Sequence, residues 1–179
     1  MKKIKFFFWL GLVVSGGFFS ACSDDEDEID NPIVSDRDEN FMMQASYGNW
    51  GEVSMGKLAD SLSADAGVKM FGQHMQEDHS KAQEDLQAVA NDWGVNLPDG
   101  PDSAHFHLRL NMQTMSPQMF DTAYIKGQIK DHEKTIALFE DAAANSNLQK
   151  LKDYANAHLP TIKMHKAMAD TMALRLIAR

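Results

Sequence analysis

Several polar side chains able to bind a metal ion, or to hold one of its ligands in place, fall at helical spacing among apolar residues of this 179-residue chain. They are Glu52, Asp78, His79, Gln128, His132, His158 and His165. Burying such groups without partners costs roughly 2–7 kcal/mol each. Imidazole together with carboxylate suits zinc, iron, manganese or copper, whereas calcium and magnesium prefer oxygen ligands. The pattern therefore predicts a site for one transition-metal ion, with a buried hydrogen-bond network as the alternative.

In the first predicted helical hairpin, depth follows from the number of residues that separate each side chain from the turn. With the turn at Asp65, Glu52 lies 13 residues before it and Asp78 lies 13 residues after it. His79 is one residue further on, which is about 1.5 Å along a helix. These three side chains are therefore expected at one level.

The second predicted hairpin leaves two arrangements open. With the turn at Ser146, His132 lies 14 residues before it and His158 lies 12 residues after it, while Gln128 and His165 lie 18 before and 19 after. The two pairs therefore lie at two neighbouring depths along the hairpin. Because the centre of the turn is uncertain by one or two residues, either His158 or His165 can lie level with His132. The predicted ligands are Glu52, His79, His132 and either His158 or His165, with Asp78 or Gln128 orienting a histidine through its other ring nitrogen.

The elements that must position these residues are four long helices. Apolar residues recur three and four apart in four segments, β-branched clusters are few, and the fold class is therefore all-α. The four helices form two hairpins with short turns, and a long connection joins the hairpins. This is the connectivity of a ferritin-like four-helix bundle. The predicted helices run from Ser35 or Asp36 to Ala64, from Asp65 to Trp93, from Ala104 to Met112 within the connection, from Ser116 to Ala144, and from Leu148 to Ile177.

The first residues have the pattern of a bacterial lipoprotein signal. Three lysines and a short apolar run precede Phe19-Ser20-Ala21-Cys22, which resembles the cleavage motif that leaves a lipidated cysteine at the new N-terminus. Cys22 is the only cysteine, so no disulfide competes for it. We expect lipid, including palmitate, on Cys22 to be the protein's contact with a membrane.

The stretch after the cysteine is acidic and has almost nothing to bury, which predicts a disordered tether. Ser23 followed by acidic residues favours the outer membrane, with display on its outer face. Removing the signal takes away three lysines and no acid, which leaves 14 basic and 26 acidic residues and a formal charge of −12. Nucleic acid is therefore excluded as a partner, and no particular protein partner is indicated. The predicted domains are the signal over 1–21, the tether over 22–35 and the helical domain over 36–179.

Four blocks of residues also resemble a known family. They are Phe41 with Ala45, Glu52 and Leu58-Ala59; Met75 with Asp78-His79; Phe120-Asp121 with Tyr124 and His132; and Leu159-Pro160 with His165. Together, over Asn40 to Leu174, they are similar to the domain-of-unknown-function family DUF4142, whose members are predicted secreted or outer-membrane proteins. The resemblance implies a ferritin-like fold and polar positions at Glu52, Asp78, His79, His132 and His165, which favours His165 over His158. The paired Glu-x-x-His motifs of di-iron ferritin-like enzymes are absent from the sequence.

Three functions follow as hypotheses. The first is a non-catalytic outer-membrane lipoprotein that binds one transition-metal ion in an envelope or stress-related role. The second is a metal-dependent oxidoreductase acting on peroxide or another small oxidant. The third is a structural interaction protein with only a buried polar network and exposed aromatic residues such as Trp50. Hydrolytic and nucleotide chemistry have no support, because the sequence lacks a nucleophile elbow, a phosphate-binding loop and a zinc-protease motif.

Overall fold

The computed structural model describes residues 33–178, and this part of the chain is helical and contains no strand. The helices are α1 (Asp36–Leu62), α2 (Ala66–Asp92), α3 (Ser103–Met112), α4 (Pro117–Asn145) and α5 (Gln149–Ile177). The sequence pattern predicted each of these boundaries to within two residues. Cys22, the signal and most of the tether lie outside the described residues.

Local chemistry accounts for the helix starts. The Ser35 side chain accepts a hydrogen bond from the backbone N–H of Asp38, and its hydroxyl donates to the Asp38 carboxylate at 2.8 Å. Asp65 caps α2 in the same way through two backbone N–H groups. Pro117 begins α4, where its missing N–H is not needed. Gly94, with φ of +67°, follows the end of α2 in the left-handed conformation typical of a helix stop.

The four long helices contact one another in a defined pattern. α1 packs along α2 and α4, α5 packs along the same two helices, and α3 contacts α1 and α4. Hydrogen bonds between α1 and α2 join Asp60 to Gln73 near the turn and Asn49 to Gln83 farther from it, so the two helices are antiparallel. α5 continues through Pro160.

The apolar core falls into two clusters along the helices. The first includes Phe41, Leu86, Phe139 and Leu151, and the second includes Met55, Phe71, Tyr124 and Ala169. On each long helix, buried polar residues separate the part in one cluster from the part in the other. We call this set the polar layer; it comprises Ser46, Asn49, Glu52, His79, Gln83, Gln128, His132 and His165.

None of the helices within residues 33–178 is long and apolar enough to cross a membrane.

Candidate metal centre

Three histidines from three helices meet in the polar layer. His79 comes from α2, His132 from α4 and His165 from α5, and their exposed fractions are 5%, 1% and 0%. The ring centroids are 5.8 Å apart for His79 and His132, 5.6 Å for His79 and His165, and 5.5 Å for His132 and His165. One ring nitrogen from each residue lies within 4.8 Å of the other two. The three side chains can therefore share one cation.

Asn49 fixes the orientation of the His79 ring. Its side-chain nitrogen donates to Gln83 Oε1 at 3.4 Å and to the Tyr154 hydroxyl at 3.3 Å, which turns its oxygen toward His79. His79 Nδ1 lies 3.0 Å from that oxygen, and because an amide oxygen only accepts, Nδ1 carries the proton. The lone pair of His79 is therefore on Nε2.

The other two rings are oriented in the same way. His132 Nδ1 donates to the backbone carbonyl of Gln128 at 3.0 Å, which leaves its lone pair on Nε2. His165 Nε2 donates to Asp78 Oδ2 at 2.8 Å, which leaves its lone pair on Nδ1. An acceptor behind each histidine is the arrangement that orients metal-binding imidazoles in proteins.

The nitrogens that carry these lone pairs are buried and have no hydrogen-bond partner among residues 33–178. We call His79 Nε2, His132 Nε2 and His165 Nδ1 the open ring nitrogens. Burial and the neighbouring histidines hold the pKa of His79 well below its usual value, and burial lowers the pKa of His165 to about 4 although Asp78 opposes that shift. Neutral imidazoles with lone pairs are the form that binds metal, and Zn–N bonds of about 2.0–2.1 Å would draw the rings closer together.

Glu52 lies beside the three histidines. It accepts a hydrogen bond of 2.6 Å from Gln128 Nε2 on one oxygen, and its other oxygen is 3.7 Å from His132 Nδ1. Burial raises the pKa of the Glu52 carboxyl, while His132 and Gln128 oppose the rise. The cluster of possible ligand atoms within 4.8 Å comprises the three histidines, and Glu52 is adjacent to it.

The remaining predicted residues take different places. Asp78 and Gln128 both support histidines, Asp78 through its carboxylate and Gln128 through its backbone carbonyl. His158 stands apart from the cluster: its Nε2 lies 3.3 Å from Asp85 Oδ2, and its ring is 4.7 Å from that of Tyr154. Of the two α5 histidines that residue counting left open, the structure brings His165 to the site.

A cleft of about 470 Å³ leads from solvent to this region. Its lining includes His79 and Glu52 at the site, and Asp131 and His105 nearer the surface. His105 comes from α3, where its Nδ1 is 2.7 Å from Asp102. Of the three histidines, the cleft is lined by His79 alone, so a small molecule or ion can approach the edge of the site at His79 and Glu52.

The sequence pattern missed the amide part of the site. Asn49 and Gln83 are buried and hydrogen-bonded into the polar layer, yet neither is a usual metal ligand. The helical spacing of these residues was a signal that both face the core: Asn49 is four residues after Ala45 and three before Glu52, and Gln83 is four residues after His79. Spacing alone allowed either Gly48 or Asn49 to face the core, and the structure selects Asn49.

The described chain is thus an all-helical protein with three buried histidines that could hold a metal ion. Residues 26–172 match the family described as Domain of unknown function (DUF4142), and the chain belongs to that family. No curated protein and no solved structure matches the chain.

Proposed function

We propose that this protein is a cell-envelope lipoprotein whose helical domain binds one transition-metal ion through His79, His132 and His165. The observation that carries the proposal is that three buried histidines each bring a ring nitrogen within 4.8 Å of the other two, and each keeps one buried ring nitrogen without a partner among residues 33–178. Neutral imidazoles cannot satisfy one another's lone pairs, whereas a cation can accept all three. Asn49, Gln128 and Asp78 orient the rings, and the cleft admits the ion.

The helix contacts support a ferritin-like four-helix bundle as the fold of this domain. α1 and α5 each contact both α2 and α4, as expected if α2 and α4 lie on a diagonal of such a bundle. The segment between them, which contains α3, is then the long crossover of that topology.

Metal analysis of the purified full-length protein tests the proposal. We expect about one zinc or other first-row ion per chain after incubation with the metal and removal of excess. His132→Gln and His165→Leu should each reduce the bound metal at least tenfold, because each removes one of three ligands while preserving most of the side-chain volume.

His158→Leu is the matched control, since His158 lies on α5 outside the cluster and pairs with Asp85. It should leave the metal content unchanged. Substoichiometric metal in the native protein, or equal metal content in all four proteins, would rule out the histidine centre.

Location in the envelope rests on the sequence around Cys22. The lysine-rich start, the apolar run and the single cysteine after Ser20-Ala21 support lipidation, and the acidic residues after Ser23 support the outer membrane. An envelope or stress-related role follows from that location together with a metal centre.

A metal-dependent oxidoreductase acting on peroxide is the second candidate. It is favoured by the cleft, which is lined by His79 and Glu52 at the edge of the site, and by the three-histidine set, which would leave a fourth position of the metal to a small molecule. Iron- or manganese-loaded protein should then consume hydrogen peroxide, and the His165→Leu variant should not. Absence of turnover with either metal excludes this candidate.

The third hypothesis, a structural interaction protein, was prompted by the expectation that aromatic residues such as Trp50 are exposed, and the two tryptophans of the helical domain do not meet that expectation. Trp50 is half-buried and donates from Nε1 to the backbone carbonyl of Pro98 at 3.1 Å. Trp93 is half-buried and packs against the first apolar cluster. The two tryptophans therefore do not form an exposed aromatic pair.

A further inference from the structure

A second, smaller cavity lies next to the proposed metal centre, between α1, α3 and α4. Its volume is about 40 Å³, and its lining combines apolar side chains such as those of Met55, Leu108 and Met112 with the polar residues Glu52, His105, Tyr124, Gln128 and Asp131. A cavity of about 10–15 Å³ holds one water molecule, so this space accepts a molecule of one to three heavy atoms. We call it the α4 pocket.

Two buried polar atoms belong to residues that line the α4 pocket. The Tyr124 hydroxyl and Gln128 Oε1 have no hydrogen-bond partner within residues 33–178, and the side chains are 1% and 3% exposed. A hydroxyl is a donor as well as an acceptor, and an amide oxygen is an acceptor. Native proteins rarely leave such buried groups unsatisfied, and a bound molecule that pairs with both atoms would explain the two together.

The pocket is continuous in sequence and space with the histidine centre. Tyr124, Gln128 and His132 are four residues apart and therefore share one face of α4. Glu52 lines the α4 pocket and the larger cleft, and it bonds to Gln128 while lying 3.7 Å from His132. A molecule in the pocket is therefore a near neighbour of anything bound to the histidines.

We propose that the α4 pocket binds one small uncharged molecule that both donates and accepts hydrogen bonds, with the Tyr124 hydroxyl and Gln128 Oε1 as its partners. Water and hydrogen peroxide share this chemistry, and both fit the volume of the pocket. The inference deepens the proposed function by naming the class of molecule placed beside the metal, and in that respect it rests on the metal centre. The pocket itself is formed by α1, α3 and α4 and can be tested without metal.

Replacing Tyr124 by phenylalanine distinguishes an occupied pocket from an empty one. If the hydroxyl bonds to a resident molecule, Tyr124→Phe loses that bond and raises the unfolding equilibrium constant about fivefold to tenfold. If the hydroxyl is unsatisfied, its removal relieves a desolvation cost and stability stays equal or rises. Denaturant unfolding of the full-length protein measures this, with Tyr47→Phe as the control because Tyr47 lines the larger cleft and not the α4 pocket.

Nuclear magnetic resonance of the native protein gives a readout that does not depend on any variant. We expect long-lived water to show cross-peaks to the Gln128 side-chain amide in zinc-loaded and metal-free protein. In the zinc-loaded form, which is redox-inert, hydrogen peroxide should displace that water with a saturable shift of the same amide signals. Tyr124→Phe should abolish both effects while retaining the native content of zinc.

Water cross-peaks or a saturable peroxide shift supports the proposal, and the two results identify the occupant. Absence of both in native protein, or stability of Tyr124→Phe equal to or above native, overturns it. Loss of zinc binding with the water cross-peaks intact would instead count against the metal centre alone, so the two proposals fail separately.

Discussion

Each buried histidine uses one ring nitrogen for orientation and presents the other to the centre, but the orienting acceptors differ. His79 relies on an amide, His132 on a backbone carbonyl and His165 on a carboxylate. A backbone carbonyl cannot be changed by substitution, whereas the other two acceptors can. The site therefore offers direct tests of how strongly the orienting groups contribute to metal binding.

Asn49→Ala tests the orienting group that the sequence pattern missed. The variant keeps all three ligands but frees the His79 ring and leaves Tyr154 and Gln83 without their amide partner. We expect metal affinity to fall about 10- to 100-fold, as is usual when such outer partners are lost.

A competition titration against a metal-binding dye measures the change, with exposed Asn91→Ala on α2 as the control. Native affinity in Asn49→Ala would show that the ring needs no support from α1.

Metal-free protein should lose stability as the pH falls from about 6.5 toward 4. The folded state holds the pKa of His79 and His165 below the value of 6.5 typical of an unfolded chain. Over this range the unfolded chain binds protons that the folded protein does not, so acid favours unfolding. Glu52, whose pKa is raised by burial, acts in the opposite direction, but it is one group against three histidines, because the pKa of His158 is lowered by burial as well.

Denaturant midpoints at pH 7 and pH 5 measure the effect. His165→Leu should show a smaller difference between the two pH values than the native protein. A midpoint that is independent of pH in the native protein would contradict neutral histidines in the folded state.

Among the elements, side-chain direction explains which histidine of α5 reaches the site. Side chains on a helix lean toward its N-terminus, so those on α4 lean away from the second hairpin turn and those on α5 lean toward it. His165, which lies farther from the turn than His132 by residue count, therefore meets it, and His158 falls short of the layer. Counting residues from a turn omits this lean, which is why sequence depth alone left both open.

Local signals in the sequence predict where helices begin and end, but not how the helices pack against one another. Helix boundaries followed from caps, Pro117 and Gly94, which act locally and are visible in the sequence. The position of His105 could not be predicted from local sequence signals, because its half-buried side chain depends on how α3 packs against α1. Contacts between elements that are distant in sequence leave no local signal.

Gly51 tests how closely α3 must lie on α1. A Cβ added at Gly51 would lie 2.5 Å from the His105 ring, whereas one at Gly48 would meet no heavy atom of the described residues within 4 Å. Gly51→Ala should displace α3 and speed amide hydrogen exchange there. Gly48→Ala should stabilise the protein by roughly 0.5–1 kcal/mol, because alanine is the better helix former.

Exchange followed by mass spectrometry, together with denaturant unfolding, compares the two variants. Equal stabilisation by both substitutions, with native exchange in α3, would show that the contact with His105 does not hold the helix.

At the scale of the whole molecule, the acidic chain and its proposed anchor make a prediction about location. Cys22→Ser should move the protein from the membrane fraction to the soluble fraction of the envelope, because the proposed lipid on Cys22 would be the main attachment. Fractionation and palmitate labelling measure this. Protease treatment of intact cells separately tests surface display, and full protection would exclude display without bearing on lipidation.

The division of the core into two apolar clusters has a consequence for cooperativity. Each cluster packs one end of the four long helices, and the polar layer lies between the two clusters. An ion held by α2, α4 and α5 would bind three helices together at mid-length, and the two ends would then unfold as one unit. Without the ion, we expect the two ends to open more independently of each other.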